Sequence, residues 1–110
     1  MNKIQLNDIV LYKDDAVCFT LEQIKLPLYL ILDKTIPNLA KMLWGIVNEY
    51  LSDCKETNVF FAQHLGVSKV YVSKMISKLI KAGYMDAVRY TDEKGQNIRV
   101  LLTNHEEGYE

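Results

Sequence analysis

Residues 69–81, KVYVSKMISKLIK, set four lysines, two serines and a tyrosine among apolar residues that recur at helical spacing. Val72, Met75, Ile76 and Leu79 fall within one sector and predict an inward face. The opposite sector carries Val70, Ser73, Lys74, Ser77, Lys78 and Lys81, with Lys69 and Tyr71 near the amino end. Ammonium and hydroxyl groups repeated at one-turn intervals are suited to donating hydrogen bonds to a polyanion. The plainer alternative is a solvated helix face, since lysine-rich faces are common. Residues suited to catalysis are not grouped in the same way. His64 and His105 are isolated, the carboxylates are scattered, and neither a GxxxxGK[ST] phosphate loop nor a GxSxG elbow is present. His64 reads as a plain surface histidine, an enzyme is the least expected class, and no cofactor is expected.

Cys18 and Cys54 lack CxxC spacing and have no histidine at metal-ligand intervals, which argues against zinc. Both are expected to be small buried thiols in a reducing compartment. No apolar run approaches the roughly 18 residues of a membrane span, and 26–32 is interrupted by Pro27 and closed by Asp33. The expectation is a soluble cytoplasmic protein without a membrane partner.

The 110 residues fit one domain, and 49% apolar with 25% charged residues is ordinary for a folded chain. A net charge of −1 taken alone disfavours a nucleic-acid partner, but the charge is unevenly placed. Residues 1–57 hold six lysines against eight acids, a balance of −2. Residues 58–103 hold five lysines and two arginines against three acids, a balance of +4, and residues 104–110 add −3.

The elements that would position the cationic face follow from turn and capping residues. Thr57 or Asn58 is suited to cap a helix over about 58–65, with Val59, Ala62 and Leu65 facing inward and Phe60 or Phe61 adding to the core. Gly66 ends that helix and Ser68 caps the next, over about 69–82. After Gly83, residues 84–91 and 96–103 alternate as two antiparallel strands around Asp92-Glu93-Lys94-Gly95. Upstream, residues 4–12 and 16–20 predict two short strands around Lys13-Asp14-Asp15, with a helix over 6–12 as the alternative. Pro27 suits the start of a short helix, with a strand as the alternative. Pro37 opens a long helix over about 38–52, whose stripe is Leu39, Met42, Leu43, Ile46, Val47 and Tyr50, widened by Trp44 and Leu51. Trp44 reads as core, and Gly45 is compatible with a close helix crossing.

Two helices meeting at a steep angle need a small residue at the contact, a glycine in the turn and apolar residues beneath the second helix. Ala62, Gly66, Val67 and Val72 supply them. A helix entering a major groove amino end first uses early side chains on base edges and later ones on phosphates. Lys69, Tyr71, Ser73 and Lys74 are therefore the base-edge or groove-wall candidates. Ser77, Lys78 and Lys81 belong nearer the backbone. Arg89, Lys94 and Arg99 on the hairpin are candidates for phosphate or minor-groove contact, opposed by Asp92 and Glu93 at its tip.

With HLGVSKVYVSKMISKLIKAGY and the DEKGQ hairpin together, the chain resembles the winged helix-turn-helix family. Through IKLPLYLILDKTIPNLAKMLWGIV it looks more closely like the amino-terminal DNA-binding module of phage and plasmid replication initiators, or replisome organisers, over about residues 19–103. The resemblance implies an α+β, mainly helical fold: a single winged helix-turn-helix domain over 1–103 followed by an acidic tail, 104–110. Residues 1–26 would form an amino-terminal extension with a β-hairpin, 57–82 the helix-turn-helix and 84–103 a C-terminal β-wing. It also implies sequence-specific binding of double-stranded DNA without catalysis. A small transcriptional repressor of the same fold and a protein-interaction winged helix are the alternatives. Initiators of this group are usually longer, so the chain is expected to be either one module of such a protein or a stand-alone regulator. Ile36 stands before Pro37, where a Ser or Asp cap would be usual. A homodimer reading paired half-sites is expected, through the amino-terminal hairpin or the Trp44 side of the long helix, with replication or transcription proteins as further partners.

Overall fold

The structure, a computed structural model, describes residues 9–13 and 17–21, as strands, and 24–105. Its elements run β1 (Ile9–Lys13), β2 (Val17–Leu21), α1 (Leu28–Ile31), α2 (Asn38–Asn48), α3 (Asn58–Leu65), α4 (Lys69–Lys81), β3 (Met85–Thr91) and β4 (Asn97–Thr103). Among the described residues this is an α+β arrangement of four helices and two separate two-stranded antiparallel sheets. In the first sheet Ile9 pairs with Leu21 and Lys13 with Val17. Residues 4–8 of the expected first strand, the turn at 14–16, the side chain of Cys18 and the tail beyond 105 lie outside the described residues.

Pro27 and Pro37 each occupy the position just before a helix, with ψ of 147° and 148° and no side-chain cap. Proline's fixed φ sets the entry to the helix without help from a capping side chain. Ile36, which offers no cap, is buried instead. The end of α1 is closed from outside: the buried Lys41 of α2 donates from Nζ to the Ile31 carbonyl at 2.6 Å. A cation there satisfies one of the carbonyls that a helix end leaves unpaired.

α2 stops at Asn48, short of the expected 52. The Glu49 and Tyr50 amides bond three residues back, to Ile46 and Val47, and Leu51 and Ser52 then take positive φ of 54° and 71°. This reversal turns Leu51 out to 85% exposure, so it does not widen the apolar face as expected. The buried stripe is Ala40, Leu43, Trp44 and Val47, while Met42 is exposed. Two residues apart on a helix is about 200°, so Met42 faces away from Ala40 and Trp44. The Trp44 side chain is consequently closed in by the chain's own core. Gly45 does mark a close approach, though by the non-helical segment before α1: a Cβ there would lie 2.9 Å from both Ile24 Cδ1 and Leu26 Cδ2.

Asp33 ties the α1–α2 connection to the far end of the chain. Its Oδ1 accepts from the Thr35 amide (2.9 Å) and hydroxyl (2.6 Å), and its Oδ2 from the Tyr84 hydroxyl at 2.6 Å. The Thr35 hydroxyl first, then the Tyr84 hydroxyl and the Thr35 amide, with Lys41 nearby, hold this carboxyl at about 2, below its ordinary 3.8. A carboxyl whose pKa is lowered by folding adds stability that is fully present above pH 3.8 and lost as pH falls toward 2. The melting temperature should therefore fall over that window, and Asp33→Asn should flatten the fall. Thermal melts followed by circular dichroism from pH 5 to pH 2 check this.

The capping residues position α3 and α4. Thr57 Oγ1 accepts from the Phe60 amide at 3.2 Å, and Ser68 Oγ from the Tyr71 amide at 3.1 Å. Gly66 (φ 72°) ends α3, its left-handed conformation letting the chain reverse into Ser68. Phe61 alone of α3 is fully buried, with Ala62 and Leu65 half-buried. Val59, expected to face inward, is 43% exposed because it too lies two positions from the Phe61 anchor. At the other end of α4 the Gly83 and Tyr84 amides bond to the Ile80 and Leu79 carbonyls, a left-handed glycine cap that leads into β3.

β3 and β4 pair from Met85–Thr103 to Thr91–Asn97. Asp92 builds their turn: its Oδ1 accepts from the Lys94 (2.9 Å) and Gln96 (2.8 Å) amides, and Gly95 supplies φ 82°. The Leu101 amide bonds the Cys54 carbonyl at 2.8 Å, so the buried Cys54 adds one rung beside β4. Trp44, Phe61, Val72, Met75, Leu79, Met85 and Leu101 meet in one core joining α2, α3, α4 and this hairpin.

Candidate nucleic-acid interface

α4 divides by burial along its length. Val72, Met75, Ile76 and Leu79 are buried, which fixes the helix's rotation about its axis. Lys69, Val70, Ser73, Lys74, Ser77, Lys78 and Lys81 are all exposed in consequence. Tyr71 differs: it is half-buried and packs against the core, so part of its ring supports the amino end of the helix. α4 has no acidic residue, and among the described residues none of its four lysines meets a carboxylate within ion-pair distance. The outward chemistry is thus mainly cationic and hydroxylic over more than three turns, with Val70 and Ile80 as its exposed apolar members, on a helix whose entry is fixed by the Gly66–Ser68 turn.

The three hairpin candidates occupy different settings. Lys94 is exposed in the turn, beside the Asp92 carboxylate that builds it. Arg89 is exposed on β3 and pairs directly across the sheet with Arg99 on β4. Arg99 is half-buried and committed to the protein, donating to Asn58 Oδ1 at 2.7 Å and to the Glu56 carbonyl at 2.8 Å. Burial first, and then the Arg89 charge, lower the Arg99 pKa. Its main work is to hold the hairpin against the start of α3. Arg89 and Arg99 line a cavity of about 300 Å³ at the amino end of α3 with Lys55, Glu56 and Asn58.

Lys55 and Asn58 are absent from the sequence-based set of candidates. The available signal was the turn: once Asp92 and Gln96 close it, Arg89 must stand opposite Arg99, although the docking of Lys55 beside them is a long-range event. Glu56 accepts from the Tyr50 hydroxyl at 3.1 Å, and burial of Tyr50, followed by the Glu56 charge, pushes that phenol's pKa up.

The histidines have local roles. The His64 ring lies 4.5 Å from that of Phe60, one turn away, and His105 packs 5.6 Å from Trp44 with Nε2 2.9 Å from Asn48 Oδ1. Among the described residues no group of three or more His, Cys, Asp or Glu is placed to hold a metal ion, and no helix is long and apolar enough to cross a membrane. Comparison with protein-family models, curated proteins and solved structures found no match.

The Arg99 clamp has a measurable consequence. Arg99→Ala removes two charge-assisted bonds and leaves Asn58 and the Glu56 carbonyl without that partner, at an expected cost of about 2 kcal/mol. Arg89→Ala, which removes the like charge opposite Arg99 from an exposed position, should leave stability unchanged or raise it by less than about 0.5 kcal/mol. Urea denaturation of the two variants checks the contrast.

Proposed function

We propose that this chain is a double-stranded DNA-binding module of the winged helix-turn-helix kind, with α4 as its recognition helix and the β3–β4 hairpin as its wing. The observation that carries the reading is the exposed, acid-free lysine and serine face of α4, presented by a helix rotationally fixed through Val72, Met75, Ile76 and Leu79. Exposed ammonium groups are the elements of phosphate recognition, and the amino-terminal Lys69, Ser73 and Lys74 are suited to base edges in a major groove. The lysines act without a cofactor. The replication-initiator resemblance makes origin binding the first biological setting, and a repressor at an operator, bound as a pair of copies on half-sites, the second.

A protein-binding winged helix is the competing reading, and one observation favours it. Val88 and Tyr90 are exposed on the hairpin face that also carries Ile98, Val100 and Leu102. Such an apolar patch on a sheet suits a protein partner better than a phosphate backbone.

Selection of bound molecules from a random duplex pool at about 50 mM salt tests the proposal, since phosphate contacts are strongest at low salt. Enrichment of one sequence, retained in a gel shift, is the expected result. Failure to retain any duplex at that salt overturns it.

A further inference from the structure

Arg89 and Arg99 stand directly opposite each other across the β3–β4 pair, on the sheet face that meets the start of α3. Like charges placed opposite on one sheet face repel, so this pairing works against hairpin stability. Arg99 is held in place by Asn58 and the Glu56 carbonyl, but Arg89 is exposed and forms no ion pair among the described residues. Lys55 enters the same cavity from the segment before α3. Three cations therefore converge on a space of about 300 Å³ against one lining carboxylate, Glu56, which is engaged by the Tyr50 hydroxyl. Lys55 also lies 3.6 Å from the exposed Asp53 carboxylate and within hydrogen-bonding reach of the exposed Tyr90 side chain, solvent-screened contacts that an incoming anion can replace. The Asn58 and Val59 amides at the head of α3 make no hydrogen bond within the described residues and lie at the same end.

The geometry points to a phosphate seat in this cavity, with Arg89 and Lys55 as the groups that reach the anion and Arg99 as the positioning residue behind them. It rests on the DNA-binding reading above and specifies a phosphodiester of the nucleic-acid backbone as the ligand, held independently of sequence. The seat would anchor the duplex through the base of the hairpin and leave sequence discrimination to α4. The repulsion between the paired arginines is relieved when the anion is bound.

Fluorescence anisotropy of the full chain with a labelled selected duplex and a scrambled duplex tests this, using R89Q and K55Q after circular dichroism melts confirm that both are folded. Each variant is expected to lower affinity for both duplexes alike and to reduce the slope of log affinity against log salt by about 0.9. Unchanged affinity and slope in R89Q and K55Q, with weakened binding in K74A/K78A, overturns the seat and leaves the DNA-binding reading standing. Failure of the unaltered chain to bind any duplex overturns both. Titration with inorganic phosphate, read by amide chemical shifts, separates the sources. Shifts at Asn58 and Arg89 that millimolar phosphate produces and added duplex does not displace would assign the cavity to a free phosphate and overturn the backbone assignment.

Discussion

K74A/K78A is expected to bind duplex DNA about a hundredfold more weakly than the unaltered chain at 50 mM salt. Each phosphate contact contributes about 0.9 to the slope of log affinity against log salt, and two contacts acting over the roughly twentyfold range down from 1 M give about two decades. Lys74 and Lys78 suit this test because both are exposed and neither meets a carboxylate among the described residues. Alanine is at least as good a helix former as lysine, so the substitutions should leave α4 folded. A loss of affinity with an unchanged melting temperature would place the effect at the surface. Ser73→Ala, which removes a hydroxyl but no charge, should change the preferred sequence more than the salt slope, because a base-edge contact does not release counterions. Electrophoretic titration across four salt concentrations reads both quantities.

Trp44→Ala is the largest stability change expected, about 3–5 kcal/mol. The side chain is 1% exposed, and its indole Nε1 donates to the Tyr84 carbonyl at 2.8 Å. That bond joins α2 to the junction of α4 and β3, forty residues on. The same carbonyl accepts from the Asn104 amide at 2.8 Å, so the end of β4 is tied to the same point. Truncation would leave a cavity between α2, α4 and the hairpin and remove the indole's bond to the carbonyl. Trp44→Phe keeps most of the volume and should cost about 1–2 kcal/mol, since Asn104 still satisfies the acceptor. A domain of this size has about 5–15 kcal/mol in total, so the alanine variant should lose a large share of its folded population on mild heating. Chemical denaturation followed by far-ultraviolet circular dichroism measures it, because Trp44 is the only tryptophan and fluorescence is lost with it.

Local features were legible in the chain. The Thr57 and Ser68 caps, the Gly66 and Gly83 stops and the Val72–Met75–Ile76–Leu79 stripe all act within a few residues, and the structure carries each of them. Where apolar residues surround a helix on most sides, periodicity loses its direction. α2 is the example: Met42 and Trp44 look equivalent in sequence, and only packing against α4 and the hairpin buries one and exposes the other. Two residues with positive φ, Leu51 and Ser52, ended that helix without the glycine that usually marks such a turn. α3 shows the same ambiguity in Val59 and Phe61. The Arg89–Arg99–Lys55 cavity depends on strand register and on the docking of α3 against β4, contacts separated by more than thirty residues. The Trp44–Tyr84 bond is likewise a product of packing, although burial of Trp44 was expected from its apolar neighbours.

The face of α4 is tested most directly by amide chemical-shift mapping of the isotopically labelled chain as a selected duplex is added. We predict that the largest shifts fall on Lys69, Ser73, Lys74, Ser77 and Lys78, with a second group at Arg89 and Lys94. Shifts concentrated on Val88, Tyr90 and Val100 or on α1, with α4 unmoved, would contradict the assignment of α4 as the recognition helix.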